Sequence, residues 1–127
     1  MSEPPGSSAE KLRQAFEQGD ERLLASLLDP AVRWGGEEET PETCHSRGEV
    51  LAWYRKLKEA GVSATVEEVI DRGDVVVLGL VVSRPESGPE SEISPVVFQV
   101  FRLVAGLVVD IRGFPEREVA LSFAAKL

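Results

Sequence analysis

The stretch from Ile93 to Phe114 constrains the fold of this chain more than any other part. It contains two runs of β-branched, aliphatic and aromatic residues, Val96–Val104 and Leu107–Phe114, on either side of the dipeptide Ala105-Gly106. Two such runs around a two-residue turn that contains Gly are typical of a β-hairpin. We therefore expect two antiparallel strands here, at the centre of a sheet that helices cover.

The second run of this hairpin carries charged residues in an otherwise apolar strand. Because successive side chains point to opposite faces of a strand, Leu107, Val109 and Ile111 are expected on one face. The other face is expected to hold four residues, Val108, Asp110, Arg112 and Phe114. Asp110 and Arg112 can form an ion pair on the outer face of the sheet or at a dimer interface, or they can belong to a functional site.

Capping and stop residues predict two helices at the start of the chain. Ser7 and Glu10 have the spacing of a capping box, and Gly19 suits the end of the first helix. Asp20 can cap a second helix, which Asp29-Pro30 stops. The buried positions expected on these two helices are Leu12, Ala15, Phe16, Leu23, Leu24, Leu27 and Leu28.

A third helix is predicted from Arg47 to Ala60. Ser46 and Glu49 form a second capping pair before it, and Gly61 suits the left-handed position after its end. An apolar stripe at helical spacing is expected to pack this helix on the sheet, and it consists of Val50, Leu51, Tyr54 and Leu57.

Strands account for most of the remaining sequence. A short strand is predicted over Ala31–Trp34, and longer strands over Val62–Asp71 and Val75–Ser83. The last of these is almost entirely apolar, which indicates burial on both faces, and Gly79 in its middle indicates a bulge or bend. A polar loop is expected over Gly35–Ser46, and a second loop over Arg84–Glu92. The segment Glu116–Lys126 is expected to form a last helical turn or an extended tail.

Length and charge limit the classes of protein to which this chain can belong. Its 127 residues suit a single domain over residues 1–127, with residues 1–8 expected to be flexible. The formal net charge of −8 argues against a nucleic-acid partner and against anionic lipid, since both need clustered Lys and Arg. The sequence has no apolar run of transmembrane length, no N-terminal secretory signal, and one cysteine, Cys44. We expect a cytoplasmic protein with no membrane partner.

The predicted order of elements indicates an α+β fold. This order is two helices, a strand, a third helix and then four mostly antiparallel strands. Four segments make the chain resemble the NTF2-like (cystatin-like α+β) superfamily, and within it the SnoaL-like group: LLASLLDP, AVRW, TCHSRGEVLAWY and GLVVDIRGFPEREVAL. The resemblance extends over about Glu10 to Leu121 and depends on the order and spacing of these segments. It implies a cone formed by a curved antiparallel sheet with three helices on its concave face around a pocket, and often a homodimer through the outer face of the sheet.

The superfamily includes ketosteroid isomerases, limonene-epoxide hydrolases, scytalone dehydratases and polyketide cyclases, so the fold does not decide the reaction. The groups of the steroid isomerases have no counterpart here. Trp34-Gly35 stands where the resemblance places the carboxylate base, and Phe16 stands near the position of the tyrosine. Gln99 is the nearest polar residue to the position of the protonated acid.

The cyclase resemblance implies that Asp110 is a catalytic base and that Arg112 or His45 holds the developing enolate. The epoxide-hydrolase resemblance would use Asp110 and Arg112 as two members of an Asp–Arg–Asp set. Cys44-His45 does not form a metal site in this interpretation, because adjacent residues rarely reach one metal and the sequence has no second His or Cys. We expect no metal and no cofactor.

Aromatic residues from several elements are expected to converge on the pocket, since aromatic concavities suit flat apolar ligands. The resemblance places Trp34 on the pocket wall, and we expect the polar loop Gly35–Ser46 at the mouth. Arg47 and Arg112 are the obvious partners for at most one anionic group of a ligand. The expected ligand-binding residues are Trp34, Arg47, Trp53, Tyr54, Phe98 and Phe114.

Three functions follow as hypotheses. The protein can bind a small apolar ligand, or it can be a lyase, isomerase or hydrolase that uses Asp110 and Arg112. The third hypothesis is an interaction or dimerisation module whose pocket is filled by side chains. Apolar residues on both faces of Val75–Val82 and Val96–Leu103 predict, in addition, a homodimer that buries the outer face of the sheet.

Overall fold

The computed structural model describes residues 8–36, 38–41, 43–83 and 96–127. These residues form an α+β fold with a curved sheet, as predicted. The elements in chain order are α1 (Ser8–Gln18), α2 (Glu21–Leu27), β1 (Leu28–Gly35), α3 (Arg47–Glu59), β2 (Ser63–Asp71), β3 (Val75–Ser83), β4 (Val96–Val104), β5 (Leu107–Phe114) and α4 (Arg117–Ala125). Among the described helices, none combines the length and the apolar character needed to cross a bilayer.

The five strands form one sheet in the order β1-β5-β4-β3-β2. Strands β2 to β5 pair in antiparallel fashion, as predicted. Strand β1 is different, because it pairs with β5 in parallel, a pairing that the sequence did not predict. The long connection through α3 and three further strands makes this parallel pairing feasible.

The start of β1 corrects a prediction. Leu28 was expected on the second helix, and the strand was expected only over Ala31–Trp34, but β1 begins at Leu28 itself. Asp29-Pro30 does end the helix, and Pro30 is then accommodated inside the strand. Proline is tolerated there because β1 is an edge strand. On the side of β1 that has no neighbouring strand, a missing N–H group removes no hydrogen bond between strands.

The hairpin between β4 and β5 has the predicted turn. Ala105 and Gly106 both have positive φ angles, 54° and 83°, which are the signature of the type I′ turn that suits two-residue hairpins. A bulge follows in β5, since Leu103 pairs with Val108 while Arg102 pairs with Asp110.

The extra residue of this bulge corrects the predicted alternation. It moves Val108 to the same side as Ile111, in the core beneath the helices, rather than to the side of Asp110. Asp110, Arg112 and Phe114 do share a face, as predicted, and Phe114 is buried there.

The sheet has an inner face, covered by α1, α2 and α3, and an outer face, part of which α4 covers. The main core lies on the inner face. Its largest fully buried side chains include Phe101, Leu12, Leu24, Leu28, Leu78 and Ile111. Strand β3 is buried on both faces from Val75 to Leu78, as its apolar sequence predicted.

Helix α4 corrects the prediction of a single helical turn or an extended tail. It is nine residues long, and its buried residues Ala120 and Ala124 share an apolar cluster with residues of three strands of the sheet. Those strand residues are Val75, Val77, Val100 and Phe114. Because the small Ala side chains allow close approach, α4 covers apolar surface that was expected to be available to a second copy of the chain.

The bulge expected at Gly79 occurs in the neighbouring strand. Val66 pairs with Leu80 and Glu68 pairs with Gly79, so the extra residue is in β2. Gly79 itself is needed for packing, because a Cβ atom there would lie 3.0 Å from Cε2 of Phe98.

The predicted helix caps are present where the structure describes them. Asp20 accepts a hydrogen bond from the main-chain N–H of Leu23, and Ser46 accepts one from that of Glu49. The Glu49 carboxylate accepts from the N–H of His45 rather than from that of Ser46. Gly61 has a φ angle of 82° at the end of α3. Ser7 and the loop expected over residues 84–92 lie outside the described residues.

Candidate functional site

A cavity of about 390 Å³ lies on the inner face of the sheet, between the C-terminal ends of α1 and α3 and the strands β1 to β4. Most of its wall is apolar. The apolar residues that line it are Phe16, Trp34, Tyr54, Leu57, Val62, Ala64, Leu80 and Val82. The polar residues are Glu17, Gln18, Lys58, Ser63 and Gln99.

Three aromatic rings build one end of the cavity. Phe16 of α1 stands at the centre, with its ring edge-on to the rings of Trp34 and Tyr54 at centroid distances of 6.2 Å and 5.9 Å. Edge-to-face pairs of this kind stabilise the packing beyond the area that they bury. Phe16 also contacts Phe101 in the main core, so this end of the cavity packs directly against the core.

Trp34 lines the cavity, as predicted, and main-chain bonds hold it in place. Its N–H group donates to the carbonyl oxygen of Cys44, and its carbonyl accepts from the Cys44 N–H, at 3.0 Å and 2.9 Å. The loop after β1 thus folds back as a short antiparallel bridge along the edge of the sheet.

The position of this loop corrects the prediction of a mouth near Gly35–Ser46. None of its described residues lines the cavity. Thr43 packs against Gly35 so closely that a Cβ atom at Gly35 would lie 3.0 Å from the Thr43 hydroxyl oxygen. Gly35 therefore allows close packing of the loop on β1 rather than movement of the chain.

Tyr54 also lines the cavity, as predicted, and it joins two helices. Its hydroxyl group donates a hydrogen bond of 2.6 Å to the carbonyl oxygen of Ala15. Burial, with smaller contributions from the negative charges of Asp20 and Glu21, raises the pKa of Tyr54 to about 12. Tyr54 is consequently a neutral hydrogen-bond donor at all physiological pH values.

The charged residues among the cavity-lining side chains are bonded to the protein itself. The Glu17 carboxylate accepts from the main-chain N–H of Val66 at 3.0 Å and pairs with Arg13. The Lys58 ammonium group donates to the carbonyl oxygen of Gly19 at 2.6 Å. These bonds tie the ends of α1 and α3 to each other and to the edge strand β2.

Asp110 and Arg112 lie on the opposite face of the sheet from the cavity. The Arg112 Nε atom donates to Oδ2 of Asp110 at 3.1 Å, and Nη1 of Arg33 lies 3.5 Å from Oδ1. The guanidinium group of Arg112 stands 5.3 Å from the ring centre of Phe123 in α4. This arrangement is an ion-pair network beneath α4, and neither Asp110 nor Arg112 lines the cavity.

His45, the third residue expected at a catalytic site, is 57% exposed and pairs with Glu39, which in turn lies near Arg33. Cys44 beside it is buried, and burial raises the pKa of its thiol, with Glu49 contributing less. A buried thiol with a raised pKa is a poor nucleophile. Among the described residues, no group of His, Cys, Asp and Glu side chains is arranged to hold a metal ion.

The other expected ligand-binding residues are distributed away from the cavity. Phe98 and Phe114 belong to the apolar cluster beneath α4, on the outer face. Trp53 is 44% exposed on α3. Arg47 is exposed at the first position of α3, and it has no hydrogen bond or ion pair with a residue that the structure describes. Of the six, Trp34 and Tyr54 meet at the cavity.

Most residues of the cavity wall were not predicted as ligand-binding positions, and Phe16 and Gln99 are the two that show why. Phe16 was assigned to the core because its helical spacing matches that of Leu12, and a periodic pattern does not distinguish a core side from a cavity side. Gln99 is the polar residue on the inner face of β4, between Val97 and Phe101, and this break in the apolar pattern of that face is the signal that could have identified it.

The comparison with known families agrees with this geometry. The family described as "SnoaL-like domain" matches residues 9–111 of the chain. This chain belongs to the SnoaL-like domain family. No curated protein sequence matches this SnoaL-like protein.

Solved structures similar to this SnoaL-like protein share its fold at low sequence identity. A candidate polyketide cyclase from Sinorhizobium meliloti is 16% identical, with a TM-score of 0.67, and 87% of this chain and 95% of that one are covered. A protein of unknown function with a cystatin-like fold from Xanthomonas campestris is 20% identical, with a TM-score of 0.66 and coverages of 90% and 92%. Bal32a, from a soil-derived mobile gene cassette, is 23% identical, with a TM-score of 0.68 and coverages of 84% and 87%. These similarities establish the fold alone.

Proposed function

We propose that this SnoaL-like protein binds a small, largely apolar molecule in the cavity on the inner face of its sheet. The observation that carries the proposal is the cavity itself, about 390 Å³ in volume and lined mainly by aromatic and aliphatic side chains. This volume lies within the range of ordinary small-molecule sites. A module that served only for protein interaction would be expected to fill this space with larger side chains, since these would bury more apolar surface.

The charges around the cavity support a ligand that is neutral. Glu17 and Lys58 at its rim already have partners in the protein. Arg47 and Arg112, which were expected to receive an anionic group, do not line the cavity. The net charge of −8 further disfavours a polyanion.

The same geometry favours binding over catalysis. A base that removes a proton must come within hydrogen-bond reach of the bound substrate. Asp110, the base that the cyclase resemblance implied, contacts Arg112 and Arg33 on the outer face. Glu17, the carboxylate among the described lining residues, is held by Arg13 and Val66. We therefore propose binding and assign no reaction.

Tryptophan fluorescence tests this proposal, since the sequence has two tryptophans and Trp34 lines the cavity. Trp53 is exposed, so a Trp53→Phe variant leaves Trp34 as the only reporter. We expect flat apolar compounds of two fused rings to change its emission in a saturable way. A panel of such compounds that leaves the emission unchanged contradicts the proposal.

A matched pair of variants locates the binding. Ala64 lines the cavity, while Thr65 next to it points to the other face of β2 and is exposed. Ala64→Phe fills the cavity and is expected to weaken binding about tenfold or more, because the added ring competes for the same space. Thr65→Phe is expected to leave the affinity unchanged. Equal effects of both variants would place the bound compound elsewhere.

We further infer a homodimer, although α4 covers part of the apolar outer face on which this prediction was based. Beyond α4, Val96 is 41% exposed on β4 and pairs with the half-buried Val81 of β3. A second copy of the chain can cover these residues by a two-fold contact. Light scattering is expected to give the mass of two chains. Val96→Asp should give the mass of one chain. Val104→Asp is the control, because Val104 is 50% exposed by the hairpin turn, and it should leave the mass of two chains. A wild-type mass of one chain contradicts this inference.

A cytoplasmic location remains a prediction from the charge and the single cysteine of the sequence. Fractionation of cells that express the full chain tests it, and recovery outside the cytoplasm would contradict it.

A further inference from the structure

Gln99 is the polar side chain that the central part of the sheet contributes to the cavity. It lies on β4, between β3 and β5, on the same side as the buried Phe101. Glu17, Lys58 and Ser63 line the cavity from helix ends and from the start of the edge strand β2. A ligand that enters past these rim residues therefore meets Gln99 among apolar side chains.

The amide group of Gln99 has no hydrogen-bond partner among the residues that the structure describes, and its Oε1 atom is buried. A buried polar atom without a partner is rare in proteins and costs stability. The replacement of glutamine by leucine, of similar size, would remove that cost. A structural role therefore does not account for a glutamine at this position.

Gly113 lies next to the Gln99 amide, and even an added methyl group there would make only ordinary van der Waals contact with it. Gly113 faces Gln99 across the β4–β5 ladder, and a Cβ atom at Gly113 would lie 3.4 Å from Oε1 and 3.5 Å from Nε2. The last torsion of a glutamine side chain is soft, and the two ends of the amide are nearly equal in shape. Either the carbonyl oxygen or the NH₂ group can thus face the cavity.

We propose that Gln99 recognises a single oxygen function, a carbonyl or a hydroxyl group, on an otherwise apolar ligand. This inference rests on the proposed binding function and names the ligand class. A ligand carbonyl accepts from Nε2, whereas a ligand hydroxyl can also donate to Oε1. An apolar site with one such group selects strongly against the analogue that lacks the oxygen, since its own amide is then left unpaired.

The test compares three compounds with one carbon skeleton: tetralin, α-tetralone and α-tetralol. Calorimetric titration of the wild-type protein is expected to show the ketone or the alcohol binding about tenfold tighter than the hydrocarbon, as one hydrogen bond allows. A preference for the ketone over the alcohol indicates that Nε2 faces the ligand, because a ketone oxygen can only accept a hydrogen bond. The Gln99→Leu variant is expected to lose the selectivity and to bind tetralin at least as tightly as the wild type does.

Gln14→Leu is the matched control, because Gln14 lies on α1 and does not line the cavity. It should retain the wild-type selectivity. Thermal unfolding adds a second readout: Gln99→Leu should be as stable as the wild type or more stable. A marked loss of stability would instead assign Gln99 a structural role and overturn the inference.

The outcomes separate this inference from the proposed function. Equal affinity of the wild type for all three compounds overturns the role of Gln99 and leaves the apolar binding site intact. Binding of none of the three contradicts both proposals together.

Discussion

The hydroxyl group of Tyr54 on α3 donates a hydrogen bond of 2.6 Å to the carbonyl oxygen of Ala15 on α1. The same carbonyl accepts from the N–H group of Asp20 at 3.1 Å, so it keeps one partner when the hydroxyl is removed. Tyr54→Phe is therefore expected to lower the free energy of unfolding by about 0.5–1.5 kcal/mol, the net contribution of one hydrogen bond. Chemical denaturation measures the difference. Trp53→Phe, one residue earlier but exposed, is the control and should change stability by less than about 0.5 kcal/mol.

The ionisation of Tyr54 provides a second prediction. Burial raises its pKa from the ordinary value of 10.0 to about 12, so the unfolded chain releases this proton first as the pH rises. The stability due to Tyr54 is thus complete below pH 10 and is lost progressively as the pH approaches 12. Since the sequence has one tyrosine, ultraviolet absorbance of the phenolate follows this residue alone. A midpoint near 10 in the folded protein, equal to that in concentrated urea, would show that the hydroxyl is solvated.

Asp110→Asn separates a structural role of this carboxylate from a catalytic one. Its side chain is 19% exposed and lies between Arg112 and Arg33, whose side chains are 26% and 15% exposed. Loss of the negative charge is expected to destabilise the protein by about 1–3 kcal/mol, because two partly buried guanidinium groups each lose a negatively charged partner. Affinity for an apolar ligand should not change, since the cavity is on the other face of the sheet. A stable variant that had lost a measurable turnover would instead support the catalytic hypothesis.

Gly79→Ala tests the close packing of β3 against its neighbours. The added methyl group would lie 3.0 Å from a ring carbon of Phe98 and 3.3 Å from Cβ of Glu68. We expect a loss of about 1–3 kcal/mol in the free energy of unfolding, as for other overpacked positions. Gly48→Ala is the opposite case, because Gly48 lies exposed in the first turn of α3, where the nearest atom, Oγ of Ser46, would be 3.9 Å away. This variant should gain up to about 1 kcal/mol from helix propensity. Equal effects of the two variants would contradict the packing at Gly79.

Several parts of the fold could be predicted from the sequence because their causes are local. The Ala105-Gly106 turn, the cap by Asp20 and the C-terminal Gly61 of α3 each depend on the conformation of two to five consecutive residues. The apolar stripe of α3 placed Tyr54 on the sheet side by its spacing alone. The order of these elements was then sufficient to predict an α+β fold of the SnoaL-like kind.

The candidate site could be predicted only in part. Trp34 and Tyr54 line the cavity, but Phe98 and Phe114 belong to the cluster under α4, and Asp110 lies with Arg33 on the outer face. The alternation along a strand tells which residues share a face, and it does not tell which face receives the cavity.

The sequence by itself therefore determined the first three helices, the hairpin and the alternation of faces along the strands away from their bulges. Only the tertiary structure decided the parallel pairing of β1 with β5, the bulge that moves Val108 to the inner face, and the coverage of the outer face by α4. The physical reason is that local signals depend on hydrogen bonds and torsions between near neighbours. Strand pairing and the burial of one face depend instead on apolar surface supplied by residues far apart in the chain, and the cavity between Phe16, Trp34 and Gln99 exists only once those residues meet.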